Sequence, residues 1–283
     1  MAVLVGTYFL HYNLSNEDAL EAWSTVTNSV NRFSTRVSDY ARHRPAYPHD
    51  VLTLLQRECG LNESSVAADI GSGTGILTEQ FLKLGNKVFG IEPNDSMRSA
   101  AEDFLRGNER FVSVAGTAEQ TGLASRSVDF VTAAQAFHWF DPPAAREEFA
   151  RILRPDGWVV LIWNQRRLDS TPFLRDYEDL LLQYGTDYKE VRHENVAGGI
   201  ADFFSPDTVH QARFENIQVF DYEGLLGRVR SASYTPEPGH PKFEPMLTRL
   251  RSIFERHEQN GSVAFEYDTI VHYGHLHPRT AKV

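Results

Sequence analysis

Seven consecutive residues, Asp69-Ile70-Gly71-Ser72-Gly73-Thr74-Gly75, and one acid further on, Glu92, carry the strongest chemical signal in the chain. Glycine has no β-carbon and tolerates positive φ, so a turn rich in it lets backbone approach a ligand closely. The turn follows an apolar stretch and precedes a helical one. It therefore delivers its ligand to the amino end of a helix, at the carboxyl edge of a sheet. Glu92 lies 92 − 71 = 21 residues past the first glycine. A carboxylate at that distance can accept both hydroxyls of a ribose, in charge-assisted hydrogen bonds worth about 1.5–3 kcal/mol each. Together these residues predict a nucleoside ligand.

Spacing narrows the choice of nucleoside. The dinucleotide fingerprint needs glycine or alanine three residues after its second glycine, and Ile76 stands there. Asp69 adds a second discriminator, because a carboxylate repels a pyrophosphate but welcomes an ammonium or a sulfonium. Both observations favour S-adenosylmethionine over NAD. An NAD-dependent oxidoreductase and a non-catalytic module that binds an adenosyl cofactor stand as the alternatives.

These residues need a scaffold, and the flanking pattern supplies one. Strands are expected at 66–70, 87–91, 111–114, 128–133 and 158–163. Between them, helices are expected at 76–84, with Gly85 as its left-handed stop, and from an N-cap at Asp95 to about Arg106. A third starts with Asp141 as cap and Pro142 as first residue and ends near Leu153; Arg154-Pro155-Asp156-Gly157 then makes a turn. Strands alternating with helices mean βαβ units and a parallel sheet covered on both faces. Upstream, Ser15-Asn16-Glu17-Asp18 has capping-box spacing, and Pro48 opens a helix to about Cys59. After Asn164 the pattern turns helical to about residue 213, with Ser205-Pro206 as a further helix start; strands at 217–222 and 263–272 follow. The expected architecture is a doubly wound, mostly parallel seven-stranded sheet of Rossmann-like type. It divides into an N-terminal extension (1–32), a nucleoside-binding core (33–163), a helical insertion or lid (164–213) and a closing segment (214–283) that completes the sheet.

Composition agrees. The 283 residues are 41% hydrophobic and 23% charged, with a formal net charge of −10. That balance repels phosphate backbones, so nucleic acid is not an expected partner. A single cysteine, Cys59, excludes an internal disulfide framework and favours a reducing, cytoplasmic setting. No stretch reaches the ~18–20 apolar residues of a membrane span. The apolar run 1–10 lacks the basic start and small-residue cleavage pattern of a secretory signal.

From about Phe33 to Trp163 the chain resembles the class I S-adenosylmethionine-dependent methyltransferases, in a small-molecule branch similar to trans-aconitate and quinone-biosynthesis methyltransferases. The residue 69–75 turn with Glu92 carries the likeness. Gly116-Thr117-Ala118-Glu119 and Leu153-Arg154-Pro155-Asp156-Gly157 match later signatures, and residues 224–276 match more loosely. The resemblance implies that Gly71 and Gly73, with Ser72, Gly75 and Asp69 in the same turn, line the methionine–ribose bend. Glu92 would hold the ribose, Pro93 and Met97 would border the adenine, and Ala118 and Glu119 would contact its edge. Gln135 would face the methionine moiety, and Tyr40, Arg44 and Tyr47 belong to a covering segment. It also implies transfer of a methyl group to a small-molecule acceptor, leaving S-adenosylhomocysteine. Ala134-Gln135-Ala136-Phe137 replaces the Asp/Asn-Pro-Pro-aromatic tetrad of N-methyltransferases, which points away from nucleobase-amine and amide-nitrogen acceptors.

Other residues admit two readings. His138 is the candidate general base or positioning group, with core packing as the alternative. Because aligning donor and acceptor can supply ~7–11 kcal/mol, the reaction does not demand a strong base. Trp139, Phe140 and Trp163 could wall a pocket and contact a sulfonium by cation–π attraction, or simply fill the core. Arg166-Arg167 could bind an acidic substrate or be a solvated pair. His272-x-x-His275-x-His277 has no Cys or clustered carboxylate beside it, so no metal is expected. No G-x-S-x-G elbow of a hydrolase is present.

Overall fold

The computed structural model describes residues 43–188, 197–232 and 234–277. The expected extension 1–32, its capping box and Tyr40 lie outside the described residues. Within them the helices are α1 (His49–Cys59), α2 (Ile76–Lys83), α3 (Asp95–Phe104), α4 (Pro142–Ile152), α5 (Pro172–Tyr184), α6 (Ala197–Phe204), α7 (Tyr222–Arg230) and α8 (Phe243–His257). The strands are β1 (Val66–Ile70), β2 (Lys87–Ile91), β3 (Phe111–Val114), β4 (Val128–Ala134), β5 (Leu153–Arg166), β6 (Val209–Phe220) and β7 (Val263–His275).

All seven strands form one sheet, in the order β3-β2-β1-β4-β5-β7-β6. β1 to β5 are mutually parallel; β7 runs antiparallel to both β5 and β6. The sheet is thus mixed, and parallel where it matters for binding. The chain winds outward in opposite directions from β1 and β4, which opens a crevice at their carboxyl ends.

β5 shows why its core reads as one apolar run. Val159, Leu161 and Trp163 pack on one face with α4 and α6, while Val160 and Ile162 pack on the other with α1 and α2. A third apolar cluster joins α5, α7 and α8 to Phe220, Phe265 and Tyr267 beyond the carboxyl edge of β5. The expected turn at 154–157 is instead a bulge inside β5, which already pairs with β4 at Leu153 opposite Val128; Asp156 takes φ +62°, and the regular register resumes at Trp158 opposite Phe130. At its other end β5 runs past Trp163 to Arg166, held by pairing with β7 down to Tyr267.

Three expectations need correction. Ser205-Pro206 does not open a helix; it follows the end of α6 and leads into β6. β6 itself starts at Val209 rather than Ile217. The helix after β2 is capped by Asn94, whose side-chain oxygen accepts the Met97 N–H at 3.0 Å, because Asn94 is the last extended residue and Asp95 is already helical.

Candidate active site

The chain leaves β1 at Ile70 and folds under the end of β2, where the N–H groups of Gly71 and Ser72 both donate to the Ile91 carbonyl, at 2.8 and 3.1 Å. Gly71 has φ +66°, and a β-carbon there would stand 2.6 Å from that of Ala136. It is glycine because the end of β4 presses on it. Gly73 differs: at φ +55°, a β-carbon would meet nothing within 4 Å. The space over Gly73 is open.

Glu92 borders that space. Its Oε2 accepts the Gly73 N–H and its Oε1 the Asn94 N–H, both at 2.9 Å, while Arg98 Nη1 donates to its backbone carbonyl. Each carboxylate oxygen accepts more than one hydrogen bond, so both retain capacity for ligand hydroxyls. The residue is 8% exposed, and burial pushes its carboxyl above the ordinary range, against the two N–H donors and Arg98. Next to it Pro93 is exposed and Met97 buried. Ala118 is buried, and Glu119 Oε1 accepts the Asp141 N–H at 2.9 Å, tying the loop after β3 to the start of α4.

Asp69 sits beneath the turn, 1% exposed. Its Oδ2 accepts from the Thr78 hydroxyl at 2.6 Å and its Oδ1 from the Thr132 hydroxyl at 3.1 Å, which joins α2 to β4. Burial pushes its carboxyl up to about 6, opposed by the two threonine hydroxyls and assisted by the charge on Glu92. So placed, it braces α2 against β4 at the base of the turn.

Past β4, Gln135 adopts φ +57°, an uncommon conformation for a residue with a side chain. Its N–H donates to Ile162 O and its side-chain Nε2 to Asn164 O, at 2.9 and 3.1 Å. The single 3-10 turn Phe137–Trp139 follows and places half-buried His138 at this edge, its ring 4.7 Å from that of Trp139. Phe137 packs edge-on against Trp163 and Phe203, and Phe140 against Phe149, so of the aromatics considered for a pocket wall Phe140 and Trp163 pack into the core. Trp139 is exposed.

Residues 43–47 cross the carboxyl edge of β5 as a strap. Asn164 Nδ2 donates to the carbonyls of Pro45 and Ala46, Asn216 Nδ2 to Ala46, and Gln218 Nε2 to His43. Arg44 Nη2 donates to the Ser231 carbonyl at 3.2 Å, and the Tyr47 carbonyl accepts from Gln80. Asn164 was not legible as a site residue, since one asparagine after an apolar run carries no motif.

Arg166 and Arg167 are not a solvated pair: Arg166 is ion-paired with Glu178, and Arg167 with Asp268, Glu215 and Glu266. His272, His275 and His277 go separately to Gln211, the Gly157 carbonyl and Asp207. Among the described residues no group of three His, Cys, Asp or Glu side chains is placed to hold a metal ion.

Open space at Gly73 in a glycine turn, beside a buried acid with spare acceptor capacity and near a second acid, fits a cationic adenosyl donor. Fold and site define an α/β transferase that uses such a donor. Comparison with known proteins agrees. A methyltransferase-domain family model matches residues 68–161. An uncharacterized methyltransferase of Mycobacterium tuberculosis is 30% identical over 241 residues, covering 84% of this chain and 93% of that protein. A methyltransferase-like protein of Schizosaccharomyces pombe, also uncharacterized, is 33% identical over 159 residues, covering 55% and 59%. Among solved structures, a type II methyltransferase from Anaeromyxobacter dehalogenans superposes with a TM-score of 0.62 at 21% identity, over 83% of this chain and 99% of that one. A methyltransferase from an antibiotic biosynthesis pathway of Anabaena variabilis gives 0.60 at 21% identity, over 84% and 100%. Those two share the fold. The chain belongs to the class I S-adenosylmethionine-dependent methyltransferases: it is an enzyme, its methyl donor is S-adenosylmethionine, and the nicotinamide alternative falls. No helix among the described residues is long and apolar enough to cross a membrane.

Proposed function

We propose that this methyltransferase acts on a small molecule, transferring the methyl group to an oxygen, nitrogen or carbon nucleophile by in-line displacement with S-adenosylhomocysteine leaving. The observation that carries the reading is the pairing of an open space at Gly73 and Glu92 with a strap, residues 43–47, laid over the neighbouring edge of β5. A covered edge favours an enclosed acceptor over a polymer, which needs an open groove. The net charge of −10 also disfavours a nucleic-acid acceptor.

S-adenosylmethionine supplies an activated methyl on positively charged sulfur. The chain's residues bind, orient and exclude water. Glu92 grips the ribose hydroxyls with the oxygen lone pairs that Gly73 and Asn94 leave free. Gly71, Ser72, Gly73 and Gly75 shape the bend, and Asp69 biases it toward a cation. Pro93, Met97, Ala118 and Glu119 surround the base, Gln135 borders the amino-acid end, and Arg44 belongs to the strap beside it. His138 positions the acceptor or takes its proton on a ring nitrogen. Most of the acceleration comes from alignment. The part before residue 164 holds the donor, and the later part walls the acceptor. A cytoplasmic setting belongs to the same reading, in keeping with the single, buried thiol of Cys59.

The test is incubation of the pure protein with methyl-labelled S-adenosylmethionine and a cell extract, followed by separation by mass. Label should enter the low-mass fraction with matching release of S-adenosylhomocysteine. Label confined to protein or nucleic acid, or no transfer to any fraction, would overturn it.

A further inference from the structure

Two buried arginines beyond the edge of β5 share one patch of tyrosines. Arg166, the last residue of β5, has a side chain only 10% exposed; its Nη2 reaches the Glu178 carboxylate and, at 3.0 Å, the Tyr188 hydroxyl. Its Nη1 is buried with no hydrogen-bond partner among the described residues. Arg228, on α7, is 6% exposed, and both its Nε and its Nη1 are likewise buried without a partner. The Tyr177 hydroxyl is a fourth such atom. Tyr177 and Tyr234 neighbour both guanidinium groups, and Arg166 Cζ stands 5.1 Å from the Tyr177 ring centre. Tyr267, paired in register with Arg166 across β5 and β7, adjoins Arg228.

A guanidinium taken out of water without a counter-charge is among the costliest groups to bury. Here Arg166 has the one carboxylate of Glu178, and among the described residues none is ion-paired with Arg228. The unsatisfied guanidinium atoms are all donors, and a tyrosine hydroxyl can donate too. An anion with several acceptor oxygens is the kind of ligand that such donors lack. A carboxylate also matches the fork of an arginine. The place suits an acceptor: Asn164, two residues before Arg166, receives the Gln135 amide on its carbonyl, and Ser231, one turn past Arg228, receives Arg44 of the strap.

We propose that Arg228, Arg166 and Tyr177 form an anion subsite that anchors a carboxylate of the methyl acceptor, making the substrate a small organic acid. This deepens the small-molecule reading and rests on it. A carboxylate clamped by guanidinium is a poor nucleophile, so it serves as the handle, and the methyl goes to another atom of the same molecule.

Binding tests this without requiring turnover. The purified full chain is titrated with succinate, benzoate and hexanoate, with the amide of each, and with inorganic phosphate, followed by thermal shift. At least one acid should raise Tm by several degrees while its amide does not. Arg228→Gln should weaken that acid at least tenfold and change S-adenosylmethionine affinity, read by calorimetry, less than twofold. Tyr177→Phe, which removes only a hydroxyl, should weaken the acid about threefold and covers the case in which Arg228→Gln fails to fold. The proposal is overturned if no acid binds, if amides bind as well, if phosphate binds and the acids do not, or if the folded variants keep acid affinity. Acid binding without methyl transfer to any small molecule would leave the subsite standing and refute the proposed function, so the two failures are distinct.

Discussion

The Glu92 carboxylate holds the backbone N–H of Gly73 at 2.9 Å, making the acid after β2 and the glycine turn after β1 one rigid unit. Its other oxygen holds Asn94, the cap of α3. The carboxylate proposed to grip the ribose thus also fixes the glycine turn and the start of α3. Glu92→Ala should weaken S-adenosylmethionine at least tenfold in calorimetry, which is about 1.4 kcal/mol. Unchanged affinity would remove Glu92 from the site.

The two leading glycines should fail in different ways. Gly71→Ala puts a methyl 2.6 Å from the Ala136 β-carbon and adds left-handed strain, so the fold should lose about 2–4 kcal/mol, read as a lower denaturation midpoint. Gly73→Ala meets no atom within 4 Å, so only the strain of about 1–2 kcal/mol applies. Its methyl enters the space proposed for the donor, so donor affinity should fall while the protein stays folded. Equal loss of stability in both variants would contradict the assignment.

Asp69 predicts a pH signature. Its folded carboxyl lies at about 6 against an ordinary 3.8, so between those values the folded state holds a proton that the unfolded chain releases. Its contribution to stability is fully present below about pH 4 and is lost as pH rises to about 6. The Tm of the protein minus that of Asp69→Asn should therefore fall across that interval and flatten above it. A difference that climbs with pH would show that Asp69 is held ionised instead.

Asn164 is the latch of the strap. It donates to Pro45 and Ala46, and its Oδ1 accepts from the buried Thr269 hydroxyl at 2.5 Å and from Asn216 at 3.2 Å. Asn164→Ala leaves Thr269 unsatisfied and frees the strap, so about 1–3 kcal/mol of stability should go. The KM for the acceptor should rise more than the Kd for the donor. A variant with native Tm and native KM would deny the strap a role.

Much of the donor half was legible because its constraints are local. A turn with three glycines, an acid at the end of the next strand and apolar runs bounded by Asp-Pro and Gly are short-range signals. β6 was read late for the opposite reason. Its apolar Ile217 and Val219 face solvent, at 63% and 62% exposure, while Asn216 and Gln218 point inward to hold the strap. That inverts the usual alternation, so the pattern gave no sign of where the strand begins.

By itself the sequence determined the β1 turn, its acid partner and the alternation of strands and helices, since backbone conformation and burial periodicity are set by neighbours along the chain. Only the tertiary structure decided that Asn164 latches residues 119 positions away, that Arg44 reaches Ser231 across 187, and that Arg166 and Arg228 meet around Tyr177. Whether an arginine is a solvated surface charge or an unsatisfied buried one depends on what packs over it, and that is fixed by contacts between segments remote in the chain.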